Sequence, residues 1–168
     1  MMKNESRSSV TKLTYGGMLI ALSAVGALIK ISGTIALDSM PGFFAALFLG
    51  PSIGAVVGAL GHLLTAATSG FPLSLPMHLF LMVVMAFVIY VFGITYRKFG
   101  SIPAFIVGVV LNGPFAALAS VPASKLLGLP FNGWALFNVI IIPLILASIV
   151  NVFLAQLVYK SITKIKKA

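Results

Sequence analysis

The chain has 168 residues, 60% of them hydrophobic and 8% charged, with a mean hydropathy of +1.16. Too few polar residues remain to cover a water-facing surface, so the composition excludes an ordinary soluble domain and points to an integral membrane protein. The net charge of +9 does not mark a nucleic-acid binder, because Lys and Arg cluster beside apolar runs, and zero cysteines exclude disulfides, thiolate metal sites and cysteine catalysis.

The first apolar run follows MMKNESRSSVTK, which lacks the small-residue cleavage site of a signal peptide, so a first spanning helix over 12–30 is expected to stay in the mature protein. It carries two small-residue pairs, Gly17 with Ala21 and Ser23 with Ala27, suited to internal packing or to docking on another membrane protein. Next comes IALDSMPGFF, which holds Asp38, the only acidic residue beyond the first few positions. The apolar region 41–68 is too long for one upright helix, since roughly 20 residues cross a hydrocarbon core of about 30 Å, and Gly50 with Pro51 interrupts it. Charge decides how it divides. Two helices there place nine of the eleven Lys and Arg on one side of the membrane, whereas one helix splits them four against seven. The expectation is an all-α integral membrane protein of six transmembrane helices, over 12–30, 41–49, 52–68, 76–96, 101–121 and 134–159, forming one membrane domain with both termini cytoplasmic. Gly42, Ala46, Gly50, Gly54 and Gly58 recur every four residues, which predicts close packing of the second and third helices.

No HExxH, GxSxG or phosphate loop is present, and no pair of intramembrane carboxylates offers acid and base chemistry, so an enzyme is not expected. Polar residues inside spans mark function by default. At about 1.5 Å per residue, His62 and Asn112 fall near mid-membrane, and His78, Trp134 and Asn138 near the outer helix ends. Asp38 and Lys30 belong to the first outer loop and Phe71 to the second, whereas the inner half offers mainly Asn151 and Gln156. Each has a purely structural alternative. Asp38 or Ser39 can cap the second helix, Asp38 can pair with Lys30, and His62 can donate to a carbonyl. His78 can be solvated, Trp134 can anchor at the membrane interface, and Asn112 can satisfy carbonyls freed where Gly113 and Pro114 are expected to break the helix. Together, polar and aromatic groups from four helices and the outer loops suit a small-molecule pocket with apolar walls. A channel would need a polar path through both leaflets, and here polarity fades inward.

A small six-helix, basic-ended chain with small-residue spacing in its first helix, the loop IKISGTIALDSMPGFFAALFLGPSIGAVVGALGHLLTA and the following FPLSLPMH resembles the substrate-binding S component of an energy-coupling factor (ECF) vitamin transporter. The likeness covers essentially the whole chain, and residues 29–78 look most like S components assigned to α-ribazole, the nucleoside of dimethylbenzimidazole used in cobalamin salvage. The resemblance implies a place in the cell membrane and partnership with a scaffold membrane subunit and two ABC-type ATPases. It further implies docking through the first helix and toppling to release cargo inside, with no cofactor. Where such proteins usually carry an alanine pair for docking, this chain offers Gly17 and Ala21, or Ser23 and Ala27. Cobalt and nickel members begin Met-His; this chain begins Met-Met, which disfavours a metal cargo. On that footing Asp38 would accept hydrogen bonds from ribose hydroxyls, Trp134 or Phe71 would stack on the benzimidazole, and Asn112, Asn138, His62 and His78 would complete the site. The same architecture serving pantothenate or a pyrimidine precursor is the alternative, and a small channel or structural subunit is a more distant one.

Overall fold

Proline starts three of the helices. Pro41, Pro51 and Pro76 each sit in a first turn, where the missing N–H would have had no helical partner. The computed structural model describes residues 2–32 and 35–165, with the side chains of 2–8 and 30–32 outside that description. Six helices lie in the described residues: α1 (Met2–Gly26), α2 (Met40–Phe48), α3 (Pro51–Thr68), α4 (Leu75–Phe99), α5 (Ser101–Leu126) and α6 (Gly133–Ile165). Between α1 and α2 a short antiparallel pair, β1 (Lys30–Ser32) and β2 (Ile35–Ala36), folds the first outer loop back on itself.

Four helices, α3 to α6, are long and apolar enough to cross a membrane. α1 starts well before its expected run of 12–30 but stops at Gly26, short of it, whereas α4, α5 and α6 extend past the runs read from hydropathy, because a helix can continue into water once its apolar stretch is over. Large apolar side chains stand outward, among them Val83, Ile102 and Ile142, each more than half exposed. In water such a surface would aggregate; in lipid it is the solvated face.

The ends of the bundle differ in charge. Tyr15 meets Phe48, Arg97 lies beside Gly50, and Tyr96 meets Tyr159, so the start of α1, the α2–α3 joint, the end of α4 and the end of α6 gather at one end. Lys12, Arg97, Lys98 and Lys160 belong to that end, where α1 starts and α6 finishes, in line with the charge count. The opposite end carries the β1–β2 loop and the α3–α4 and α5–α6 connections.

α2 and α3 meet along the small-residue stripe. A Cβ on Gly54 would stand 2.5 Å from the Ala46 backbone nitrogen, and one on Gly42 would stand 2.8 Å from the Gly58 Cα. Such backbones touch almost directly. Gly50 is not part of that contact; at φ 121° it forms the joint between the two helices, in a conformation open to glycine. Beneath the seam, Phe43 packs edge-on against Phe92 with ring centroids 5.0 Å apart, in a core shared with Val88, Ile89 and Val152.

α5 does not break at Gly113 and Pro114. It widens instead into a π-helical turn, Leu111–Phe115, between α-helical stretches Ser101–Val110 and Ala116–Leu126. The wider turn absorbs the amide that Pro114 lacks without ending the rod.

Candidate functional site

A cavity of about 750 Å³, counting the part continuous with solvent, lies between the first outer loop and helices α3 to α6. Its walls are mostly aliphatic, with Leu81, Val84, Ile140 and Leu144 among them, and its polar groups come from separate elements: Asp38 and Ser39 from the loop, His62 from α3, His78 from α4, and Asn112 and Ser120 from α5. That is the makeup of a small-molecule site, with an apolar body and a few orienting groups. Among the described residues no Lys or Arg side chain lines it.

Local chemistry fixes each polar group. Asn112, buried in the π-helical turn, donates through its amide nitrogen to Ser148 Oγ at 2.9 Å, and Ser148 in turn donates to the Leu144 carbonyl at 2.6 Å. Among the described residues no group donates to the carbonyl oxygen of Asn112, which leaves that acceptor for an occupant. His78, 1% exposed, holds its Nδ1 3.3 Å from Nε2 of His62. Phe71 leans on the same imidazole with ring centroids 5.9 Å apart, from a backbone at φ 50°, a conformation that non-glycine residues seldom hold. It touches the histidine from behind rather than lining the cavity.

Asp38 is half-buried and lines the cavity. Burial pushes its carboxyl up to about 6, against hydrogen bonds from Thr65 and from the backbone N–H groups of Asp38 and Ser39 that favour the charged form. By geometry the Thr65 hydroxyl donates to the Gly61 carbonyl at 3.0 Å.

The helix-capping alternative finds no support at Ser39, whose side chain makes no cap bond. Asn151 takes that role. Its Oδ1 accepts the Met40 N–H at 2.8 Å, and its Nδ2 donates to the Ala36 carbonyl at 3.2 Å and to Ala147 at 2.9 Å. One fully buried amide thus pins both flanks of the segment that carries Asp38. Asn151 lies 18 residues past Gly133, about 27 Å down α6, so the first outer loop dives deep into the bundle before α2 begins. The nine residues of α2 rise only about 14 Å and suffice because they start that deep. Counting positions along α6 placed Asn151 in an inner half remote from the pocket; nothing in the sequence marks the re-entry of the loop.

Other expected site residues lie elsewhere. Trp134 is 57% exposed, with its ring against Phe137, and Asn138 is exposed as well; neither lines the cavity. The Lys30 side chain, and with it an ion pair to Asp38, lies outside the described residues. Among the described residues no group of three His, Cys, Asp or Glu could hold a metal ion.

α1 presents its two small-residue pairs in different directions. Ser23 and Ala27 are buried, Ser23 standing where a Cβ on Gly61 of α3 would come within 2.6 Å of its hydroxyl, whereas Gly17 and Ala21 are exposed and Gly17 has nothing within 4 Å of the place a Cβ would take.

No curated protein and no solved structure matches the chain. The model of the family described as ECF transporter, substrate-specific component, matches residues 11–163, nearly the whole length. An apolar helical bundle with a lidded, polar-studded cavity at one end is thereby an integral membrane protein of known kind: the chain belongs to the family of substrate-specific components of ECF transporters.

Proposed function

We propose that the cavity captures α-ribazole from outside the cell and that the chain delivers it inward as the S component of an ECF importer. As a member of that family the chain is a substrate-binding subunit that works with a scaffold membrane subunit and ATPases; the identity of the cargo is the proposal. The observation that carries it is the polarity of the cavity, aliphatic over most of its wall, with one carboxylate and several neutral hydrogen-bonding groups and, among the described residues, no cation. α-Ribazole is uncharged, with a flat dimethylated ring to lie on aliphatic side chains and ribose hydroxyls that can donate to Asp38. Pantothenate fits less well, because its carboxylate would share a partly dehydrated space with Asp38 and meet no Lys or Arg among the described residues there. The likeness of residues 29–78 to α-ribazole S components points the same way.

For docking, the geometry favours Gly17 and Ala21 as the face offered to the scaffold, since Ser23 already packs against Gly61 of α3 and Ala27 is buried. The test of cargo is calorimetric titration of α-ribazole and pantothenate into the detergent-extracted protein, with mass spectrometry of any ligand that co-purifies. Saturable binding of α-ribazole alone is expected. Binding of pantothenate without α-ribazole would overturn the assignment.

A further inference from the structure

His78 lines the cavity, and its Nε2 is the one side-chain nitrogen or oxygen among the described residues that is wholly enclosed and without a partner. An unpaired group of this kind in a low-dielectric interior is unfavourable, and native proteins keep few of them. The other nitrogen of the same ring is engaged with His62, which also lines the cavity. Phe71, held in a strained backbone, packs its ring beside the imidazole. The site thus holds one nitrogen fixed by a neighbour and leaves the second without a partner.

A neutral imidazole carries one proton on two nitrogens, so the two contacts of His78 are linked. When His62 donates from Nε2 to Nδ1 of His78, the His78 proton must sit on Nε2, which becomes a donor. When the contact reverses, Nε2 becomes an acceptor. The state of His62 therefore dictates what His78 offers to an occupant.

We infer that His78 donates from Nε2 to an unprotonated ring nitrogen of the cargo, with His62 as the positioning residue that holds His78 in the donor tautomer. The ligand class is a neutral aromatic heterocycle with one bare ring nitrogen. This rests on the α-ribazole assignment, whose benzimidazole carries ribose on one nitrogen and a lone pair on the other, and it adds which atom is read and by what. A heterocycle lacking that nitrogen would bury the His78 N–H against a C–H group and leave it unpaired.

The test compares α-ribazole with its 3-deaza analogue, in which C–H replaces the bare nitrogen, by calorimetry on wild type, His78→Phe, His78→Gln and His62→Phe. Wild type should bind α-ribazole about 5- to 150-fold more tightly than the analogue, the range for a buried donor left unpaired. His78→Phe should erase that preference, and His78→Gln, which keeps a donor, should restore part of it. His62→Phe should weaken α-ribazole more than the analogue and so narrow the preference, whereas a purely structural His62 would weaken both alike. The ¹⁵N spectrum of wild type labelled at histidine should show a protonated Nε2 on His78 once α-ribazole is bound. Equal affinity of wild type for the two compounds overturns the histidine inference and leaves the cargo standing. Failure of wild type to bind either compound overturns the cargo assignment, and the inference with it.

Discussion

The contact between α2 and α3 and the one between α6 and the first outer loop solve the same problem in opposite ways. Lipid gives helices no hydrophobic reason to associate, so they need close van der Waals contact or hydrogen bonds. Along α2 and α3, side chains are removed until backbones touch, with Gly42 against Gly58 and Gly54 against Ala46. Around α6, longer side chains reach across a gap, Asn151 to the loop and Ser148 to Asn112. The first arrangement leaves no room for anything else. The second leaves a space with polar edges, and the cavity lies there.

The seam should be the harder of the two to disturb without loss of the fold. Gly54→Leu drives a branched side chain into the Ala46 backbone and should lower stability by about 3 kcal/mol or more, seen as a collapse of the thermal transition in detergent. Ala21→Leu, on the exposed face of α1, is the matched control: stability within about 0.5 kcal/mol of wild type, with loss of scaffold association in pull-down. Equal stability of the two variants would mean the seam is looser than its geometry requires.

On the polar side, Asn151→Leu strands the Met40 N–H and the Ala36 carbonyl and should destabilise the ligand-free protein by about 1–3 kcal/mol per stranded group. Asn151→Asp keeps an acceptor for Met40 but loses the donor to Ala36. It should give a smaller thermal loss together with faster ligand dissociation, if the loop acts as a latch; unchanged dissociation would make Asn151 a packing residue only.

Asp38→Ala should weaken α-ribazole by about 1.5–3 kcal/mol, the range for hydrogen bonds to a charged acceptor, with little thermal loss. Its ionisation supplies a sign. A carboxyl held at about 6 in the fold, above its ordinary 3.8, takes up protons on folding. Its contribution to stability is therefore full below pH 3.8 and is lost as pH rises through 6. Ligand hydroxyls that donate to the carboxylate favour the ionised form, so affinity should rise between about pH 5 and 7. Asp38→Asn should flatten both trends; an affinity profile that keeps its slope in that variant would remove Asp38 as the titrating group. The smallest effect belongs to Trp134→Ala, whose ring stands outside the cavity: less than about twofold in dissociation constant, within the range of ordinary surface substitutions.

Much of this was legible in the chain because hydropathy and charge act one helix at a time. Four apolar runs, the joint at Gly50 and the asymmetry of Lys and Arg yield the helices, and the four-residue spacing of glycine yields the seam. Depth along a helix also brought Asp38, His62, His78 and Asn112 within one region, and the structure sets all four around one cavity. Azimuth was not available from the same pattern. Trp134 and Asn138 stand at the right height on the wrong face, and the two small-residue pairs of α1 differ only in direction. Asn151 was invisible for another reason, since its partners are main-chain atoms of a loop whose descent no side-chain pattern records.

The π-helical turn in α5 has a consequence for register. A π turn holds one residue more than an α turn, so the segment after Phe115 is rotated by about 100° relative to an uninterrupted helix from Ser101. The two ends of α5 therefore follow different angular frames, and Gly108 can face Phe92 and Val152 in one while Ser120 faces the cavity in the other. Removing a single residue from Leu111–Phe115 would shorten the rod by less than 2 Å and keep it helical, yet it would swing one whole end round by more than a quarter of a turn. In this helix an insertion or deletion is a change of heading rather than of length.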